Sequence, residues 1–342
     1  MKKLFIAAFA ALAILSSCKD EVADNRVNII FETDFGNDVD DAIAMDMLFK
    51  YVEAGKINLL AINVNKDGKY PGEYADIMRK WYGHTEVPVG IVRNGAKQSN
   101  ELSNYAQKVV DMTDEAGNPL FERTIPDFNV LPDAHVLTRE ILASMPDKSV
   151  TIVSVGFSTN LIRLMESGAD EYSKLNGMEL IAQKVDKLVM MAGGFKRLED
   201  REYNVYVDVP AAKAVFESWP TAVVTSPFEV GDLIRYPATS IENDFGWAKP
   251  AHPMCESYKN YLKMPYDRQT WDPTAVLYAV EGEQWFTMSP KGKINVTEIG
   301  NTHFTADDTC DRQYLQVDSL QAAKILDHFI EIVTSKPAIY QE

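Results

Sequence analysis

Four aspartates fall within eight residues near the start of the chain, in Asp34-Phe35-Gly36-Asn37-Asp38-Val39-Asp40-Asp41. Like charges packed this closely repel, so a fold that gathers them needs a cation, and an all-carboxylate set selects a hard ion such as Ca2+ or Mg2+. Asp40 by itself has a metal-free explanation, as a cap accepting a backbone N–H at the start of the next helix; four aspartates do not. The preceding residues, Asn28 to Thr33, read as a buried strand. In an open α/β sheet ligands bind beyond the carboxyl ends of the strands, which is where a loop after this strand must lie.

Spacing excludes two other acidic motifs. An EF-hand counted from Asp38 would need Gly at its sixth position and Glu at its twelfth, where Ile43 and Phe49 stand. A haloacid dehalogenase phosphatase would carry a second Asp two residues after Asp34, where Gly36 stands. The loop instead resembles the Asp-x-Asp-Pro-Gly-x-Asp-Asp-Ala signature of the inosine-uridine-preferring nucleoside hydrolases, with Phe35 in place of the Pro and two extra residues before Asp40-Asp41-Ala42. Asp34, Asp40 and Asp41 align with the family's three functional aspartates, and Asp38 competes with Asp40 for the middle role.

Further blocks resemble the same family in the same order. Val150 to Leu161, with Gly156-Phe157-Ser158-Thr159-Asn160-Leu161, is similar to a strand followed by Gly-Pro-Leu-Thr-Asn-Leu, and the resemblance implies that the Val155 carbonyl completes a calcium site. Gly193-Gly194, then Glu202-Tyr203-Asn204 and Asp208-Val209-Pro210-Ala211-Ala212, is similar to the family's Gly-Gly turn and Glu-Phe-Asn-x-x-x-Asp-Pro-x-Ala-Ala. By that match Glu202 and Asn204 hydrogen-bond ribose hydroxyls, while Lys196 to Asp200 replaces a stretch that often carries another ribose-contacting Asn. Trp271-Asp272-Pro273-Thr274-Ala275 matches the segment bearing the last calcium ligand, Asp272, with Trp271 where the family often has a His acting as leaving-group acid. Indole cannot protonate a base, so Trp271 is expected instead to stack on a nucleobase or sugar face. Asn65, after the second strand, is a further expected ribose contact, and His252 is the one histidine worth testing as a substitute acid.

What this resemblance implies is calcium-dependent hydrolysis of the N-glycosidic bond of a ribonucleoside. Ca2+ would sit on Asp34, Asp41, Asp272 and the Val155 carbonyl, and Asp40 or Asp34 would be the general base. Two alternatives stand beside it. One is a non-catalytic calcium-dependent sugar- or nucleoside-binding lipoprotein, which the Trp271 replacement favours; the other is a hydrolase of a different glycoside.

These residues must be held by a framework, and from Val27 onward β-branched apolar runs alternate with helical patterns. The alternation predicts an α/β, Rossmann-like, mostly parallel sheet with helices on both faces, in a single domain over residues 27–342. Strands are expected near 27–33, 57–64, 87–91, 149–155, 187–192 and 222–226. Helices are expected over 40–54, 72–82, 133–144, 160–167, 209–219 and 318–333. Residues 92–130 and 235–270 lack clear periodicity and are candidates for substrate contact.

The chain has 342 residues, 46% of them hydrophobic, which excludes disorder and a small stapled scaffold. With 34 basic and 50 acidic residues its net charge is −16, which argues against a nucleic-acid partner. Its three cysteines, Cys18, Cys255 and Cys310, form no metal-finger pattern, and the last two could pair in an oxidising compartment. The sequence is compatible with a homo-oligomer and does not define one.

Residues 1–17 read as a signal peptide: Lys2-Lys3, an apolar run from Leu4 to Leu15 too short to span a bilayer, and Ser16-Ser17. Leu15-Ser16-Ser17-Cys18 resembles a bacterial lipobox, which implies lipidation of Cys18, residues 18–26 as a tether, and no other membrane contact. The expectation is an exported outer-membrane lipoprotein, at the cell surface or the periplasmic face. Cleavage before Cys18 removes two lysines and no acid, taking the charge from −16 to −18.

Overall fold

The computed structural model describes residues 25–97, 104–197, 199 and 201–341. The expected signal segment 1–17 and the expected lipidation site, Cys18, lie outside them. Twelve strands occur among the described residues: β1 (Val27–Thr33), β2 (Ile57–Val64), β3 (Val89–Ile91), β4 (Val150–Ser154), β5 (Val185–Met191), β6 (Ala222–Ser226), β7 (Arg235–Tyr236), β8 (Arg268–Gln269), β9 (Thr287–Met288), β10 (Gly292–Val296), β11 (Thr302–Ala306) and β12 (Arg312–Gln316). The main sheet runs β11-β10-β12-β6-β5-β4-β1-β2-β3, with β9 paired to β12 and with β7 and β8 forming a separate ladder. All pairs from β3 through β6 to β12 are parallel.

Helices cover both faces of this sheet, so its central strands are apolar on both sides rather than alternating. In β1, Ile29 and Phe31 pack into one layer while Ile30 packs into the other. The chain leaves β1 toward β2 on one side and later returns to place β4 on the other. That reversal opens a crevice at the carboxyl ends of β1 and β4, the place where doubly wound sheets bind ligands.

Two helices reach the crevice from within the core. Asp40–Glu53 is buried from Asp40 through Tyr51, and Trp271–Glu281 is buried from Asp272 through Leu277. A helix that is apolar nearly all round belongs inside, and these two pack on each other. Their N-termini therefore carry Asp40, Asp41 and Asp272 into the interior, where the helix dipoles favour negative charge.

The expected mostly parallel framework is present, and two expectations about the rest need correction. Residues 92–130 and 235–270 contain the helices Tyr105–Val110, Ala238–Asn243 and Pro253–Tyr261. These are short, and two follow prolines at their starts, so too few turns exist to show a period. The second difference is the antiparallel extension β9 to β12, added to the parallel sheet through β6 and β12. No disulfide joins Cys255 and Cys310; Cys255 is buried in Pro253–Tyr261, and both are free thiols. Among the described residues no helix is long and apolar enough to cross a membrane.

Candidate active site

Asp34 leaves the end of β1, and Gly36 turns the chain at φ +97°, a conformation that favours glycine. The loop then closes on itself. Asn37 donates its side-chain amide to Asp34, and Thr33 donates its hydroxyl to Asp41. Asp40 accepts the backbone N–H of Asp272 at 2.9 Å, which ties the first turn of one core helix to that of the other. Asp38 stands at the same site and accepts from Arg268, with Nε at 2.8 Å. Asp38 is thus in a partly exposed ion pair, while Asp40 is buried.

Asp34, Asp40, Asp41 and Asp272 are all at most 4% exposed. Burial pushes the Asp34 carboxyl up to about 6 and holds the other three well above the ordinary carboxylate range, with mutual repulsion adding to the effect. Asp40 Oδ1 and Asp41 Oδ2 are buried and meet no donor. Buried carboxylate oxygens without donors are costly, and a cation among them removes both the repulsion and the unmet acceptors. The donor set is all oxygen, so the residues fit a hard divalent ion. Among the described residues no group of three or more His, Cys, Asp or Glu is already drawn into metal-holding geometry, and a cation would have to pull these carboxylates inward.

Val155 follows β4, its N–H donating to the Glu32 carbonyl at 2.8 Å. Its own carbonyl accepts from Asn204 Nδ2 at 3.0 Å, which leaves the second lone pair for another partner. Asn204 also donates to the Met191 carbonyl. Glu202 caps the short helix Tyr203–Val207, accepting from Asn204 N, Gly193 N and Val205 N at 2.8 to 3.2 Å. Burial still carries its carboxyl up to about 7. Trp271 hydrogen-bonds the Phe228 carbonyl through Nε1 at 2.9 Å and lies 5.4 Å from the Phe228 ring. The Arg268 guanidinium sits over the indole, 5.1 Å from its ring centroid.

Asp34, Asp40, Asp41, Val155, Glu202, Asn204, Trp271 and Asp272 line one cavity of about 350 Å3. Two other expected residues stand apart. Asn65 is fully buried behind the wall, its Oδ1 accepting from Phe157 N at 3.1 Å. His252 is also buried, neither a loop residue in solvent nor a lining residue of the cavity. It packs among Trp81, Phe245 and Trp247, where desolvation holds its imidazole well below the usual pKa.

Asn37, Arg201, Tyr203, Phe228 and Tyr261 also line the cavity and escaped sequence reasoning. Phe228 had a signal, since it follows β6 and carboxyl ends of strands face the ligand. Tyr261 lies in the aperiodic 235–270 stretch that was expected to contact substrate, and nothing in the sequence singled it out within that stretch.

Gly156 holds Asp34 in place by its lack of a side chain. A Cβ there would stand 2.4 Å from Asn65 Oδ1 and 2.7 Å from Asp34 Cβ. Gly156→Ala is therefore expected to cost about 1–3 kcal/mol of stability, as overpacking does, and to weaken divalent-ion binding at the same time. Urea unfolding and calcium titration read the two effects.

A doubly wound sheet with a buried carboxylate cluster at its switch point, in a cavity walled by polar and aromatic side chains, defines the class as an α/β protein with its site at the carboxyl ends of the strands. The family model described as inosine-uridine preferring nucleoside hydrolase matches residues 29–327, and the chain belongs to that family, whose activity is nucleoside hydrolysis. An inosine-guanosine nucleoside hydrolase superposes with a TM-score of 0.68 at 17% identity, covering 90% of this chain and 98% of its own. A purine-preferring ribonucleoside hydrolase from Gardnerella vaginalis gives 0.65 at 19%, covering 90% and 98%. The type III effector protein XopQ, complexed with adenosine diphosphate ribose, gives 0.62 at 16%, covering 91% and 95%. At these identities the structures speak for the fold. No curated protein matches the chain closely enough to count as a relative.

Proposed function

We propose that this chain hydrolyses the N-glycosidic bond of a ribonucleoside with the help of a bound calcium ion. The observation that carries the reading is the pair of buried, donorless oxygens, Asp40 Oδ1 and Asp41 Oδ2, in a cavity shared with Asp34, Asp272 and the Val155 carbonyl. Asp34, Asp41, Asp272 and Val155 O would hold the ion, which when bound grips the ribose diol and acidifies a water. Asp40 is assigned as general base, since one of its oxygens is free to take a proton while the other stays anchored on Asp272 N–H. Asp34 is the second proton acceptor of the site, oriented by Asn37. Glu202 and Asn204 offer oxygens to the remaining sugar hydroxyls. As the bond to C1′ breaks, the surrounding carboxylates stabilise the positive charge that develops on the ribose.

Among the described residues no histidine lines this cavity. With Trp271 in the position where the resemblance implies an acid, the departing base takes its proton from water or from a phenol on the wall, Tyr203 or Tyr261. Trp271 is assigned to stack on the base. Trp271→Ala is expected to raise KM about tenfold with kcat changed far less, the size of one lost stacking contact; an effect on kcat alone would remove the stacking role. The absence of a lining histidine is also what favours the second reading, a calcium-dependent nucleoside-binding protein without turnover.

We further assign the chain to an exported lipoprotein anchored through Cys18 and working in nucleoside salvage, on the strength of the N-terminal pattern. The experiment that separates enzyme from binder is ribose release from a panel of purine and pyrimidine nucleosides, with and without a chelator. Turnover that the chelator abolishes supports the hydrolase. Calcium-dependent binding without turnover supports the binder.

A further inference from the structure

Beyond Glu202 the aspartate cavity adjoins a second one, also of about 350 Å3, the two sharing Arg201, Glu202 and Phe228. Lys196, Arg197 and Arg201 line this second space, in a chain whose net charge is −16. Its three acids are already engaged. Glu202 accepts from three backbone N–H groups, Glu229 accepts from Phe195 N at 3.0 Å, and Asp232 accepts from Gln269 and lies 3.6 Å from Arg235. Two of the cations are not. Among the described residues Lys196 makes no ion pair or hydrogen bond, and Arg201 meets only the Tyr206 ring, 4.1 Å from its centroid.

The geometry of ribose says what would enter. With the 2′,3′-diol directed at the aspartates, the base at C1′ and the C5′ carbon leave the ring on opposite sides. The Tyr261–Trp271 wall suits the base, and the Glu202–Arg201 side then receives C5′. A guanidinium and an ammonium beside that carbon match a tetrahedral dianion, through charge-assisted hydrogen bonds. Resting on the nucleoside reading above, we propose that the cavity lined by Lys196, Arg197 and Arg201 is a subsite for a phosphate ester on C5′, so that a ribonucleoside 5′-monophosphate is the better substrate. The reaction remains hydrolysis at C1′. The C1′–N bond breaks, its electron pair leaves with the base, which gains a proton, and water adds to C1′ and gives a proton to a carboxylate. The products are free base and ribose 5-phosphate, with the phosphate ester intact.

Two measurements on the calcium-loaded protein test this. Calorimetry compares ribose, ribose 5-phosphate and inorganic phosphate, and kinetics compares inosine and uridine with their 5′-monophosphates. Ribose 5-phosphate is expected to bind at least about tenfold tighter than ribose, and the monophosphates to exceed the nucleosides in kcat/KM by a similar factor. Lys196→Glu, at an exposed position, should bring both ratios to about one, and Lys196→Arg should preserve them. Equal binding of ribose and ribose 5-phosphate overturns the subsite. So does inorganic phosphate binding as tightly as the ester, which would make this a site for the free ion. Nucleoside turnover without phosphate preference overturns the subsite alone; phosphate preference in binding without any turnover supports it and removes the hydrolase.

Discussion

Asp272→Ala is expected to bind calcium at least about a hundredfold more weakly and to release no measurable ribose from any nucleoside. The side chain is buried at the start of a core helix, with its carboxyl raised by burial and by Asp40, Asp41 and Asp34. Its removal deletes one charged ligand and leaves the others less negative, so both affinity and geometry suffer. The bond from Asp272 N to Asp40 is made by the backbone and survives the substitution. The same change removes one of four mutually repelling buried carboxylates, so without calcium the variant should lose little stability at pH 8, despite the small cavity created. Calcium titration, ribose release and thermal unfolding of one preparation read all three. Activity that persists after calcium binding is lost would remove the metal from the reaction.

The metal-free protein should melt at a lower temperature at pH 8.5 than at pH 6.5, on the order of 5 °C lower, and calcium should reverse the trend. The sign follows from which state holds the protons. Burial raises Glu32 and Glu202 to about 7 and holds Asp40, Asp41 and Asp272 well above the ordinary carboxylate range. Glu32 and Glu202 give up their protons in the folded chain within this window while the unfolded chain is already ionised, and the buried aspartates are raised in the same sense. The folded state therefore holds more protons, so stability falls as pH rises and the loss is complete above the folded pKa values. His252 and His135 are depressed by burial and work in the opposite direction, but only below about 6.5, where the unfolded imidazole charges. Glu281 and Asp170, held at about 2, are ionised in both states throughout. Bound calcium favours the ionised carboxylates and should raise the melting temperature more at pH 8.5 than at pH 6.5. A metal-free melting temperature that rises across this window would contradict the buried cluster.

Much of this was legible before any coordinates. The β1 run Asn28 to Thr33 and the helices over 40–53, 209–218 and 319–334 announce themselves because apolar spacing within one element reports directly which faces are covered. The Asp34 to Asp41 loop was equally plain, since its carboxylates are neighbours in the chain. Glu202, Asn204 and Asp272 carry no spacing signal toward that loop, and the family resemblance is what singled them out. The antiparallel strands β9 to β12 were missed because their sequences are largely polar, whereas the equally short β4 and β6 are covered on both faces and read as apolar runs.

The sequence by itself determined the alternating α/β framework, the acidic loop at the end of its first strand and, through its motifs, the nucleoside hydrolase family, because these depend on periodicity and on residues close in the chain. Only the tertiary structure decided that Asp38 pairs with Arg268 while Asp40 turns inward, that Asn65 and His252 stand apart from the cavity, and that Tyr261 and Phe228 form its wall. Those outcomes turn on which side chain loses its water against which neighbour, and that is fixed by packing between segments far apart in sequence.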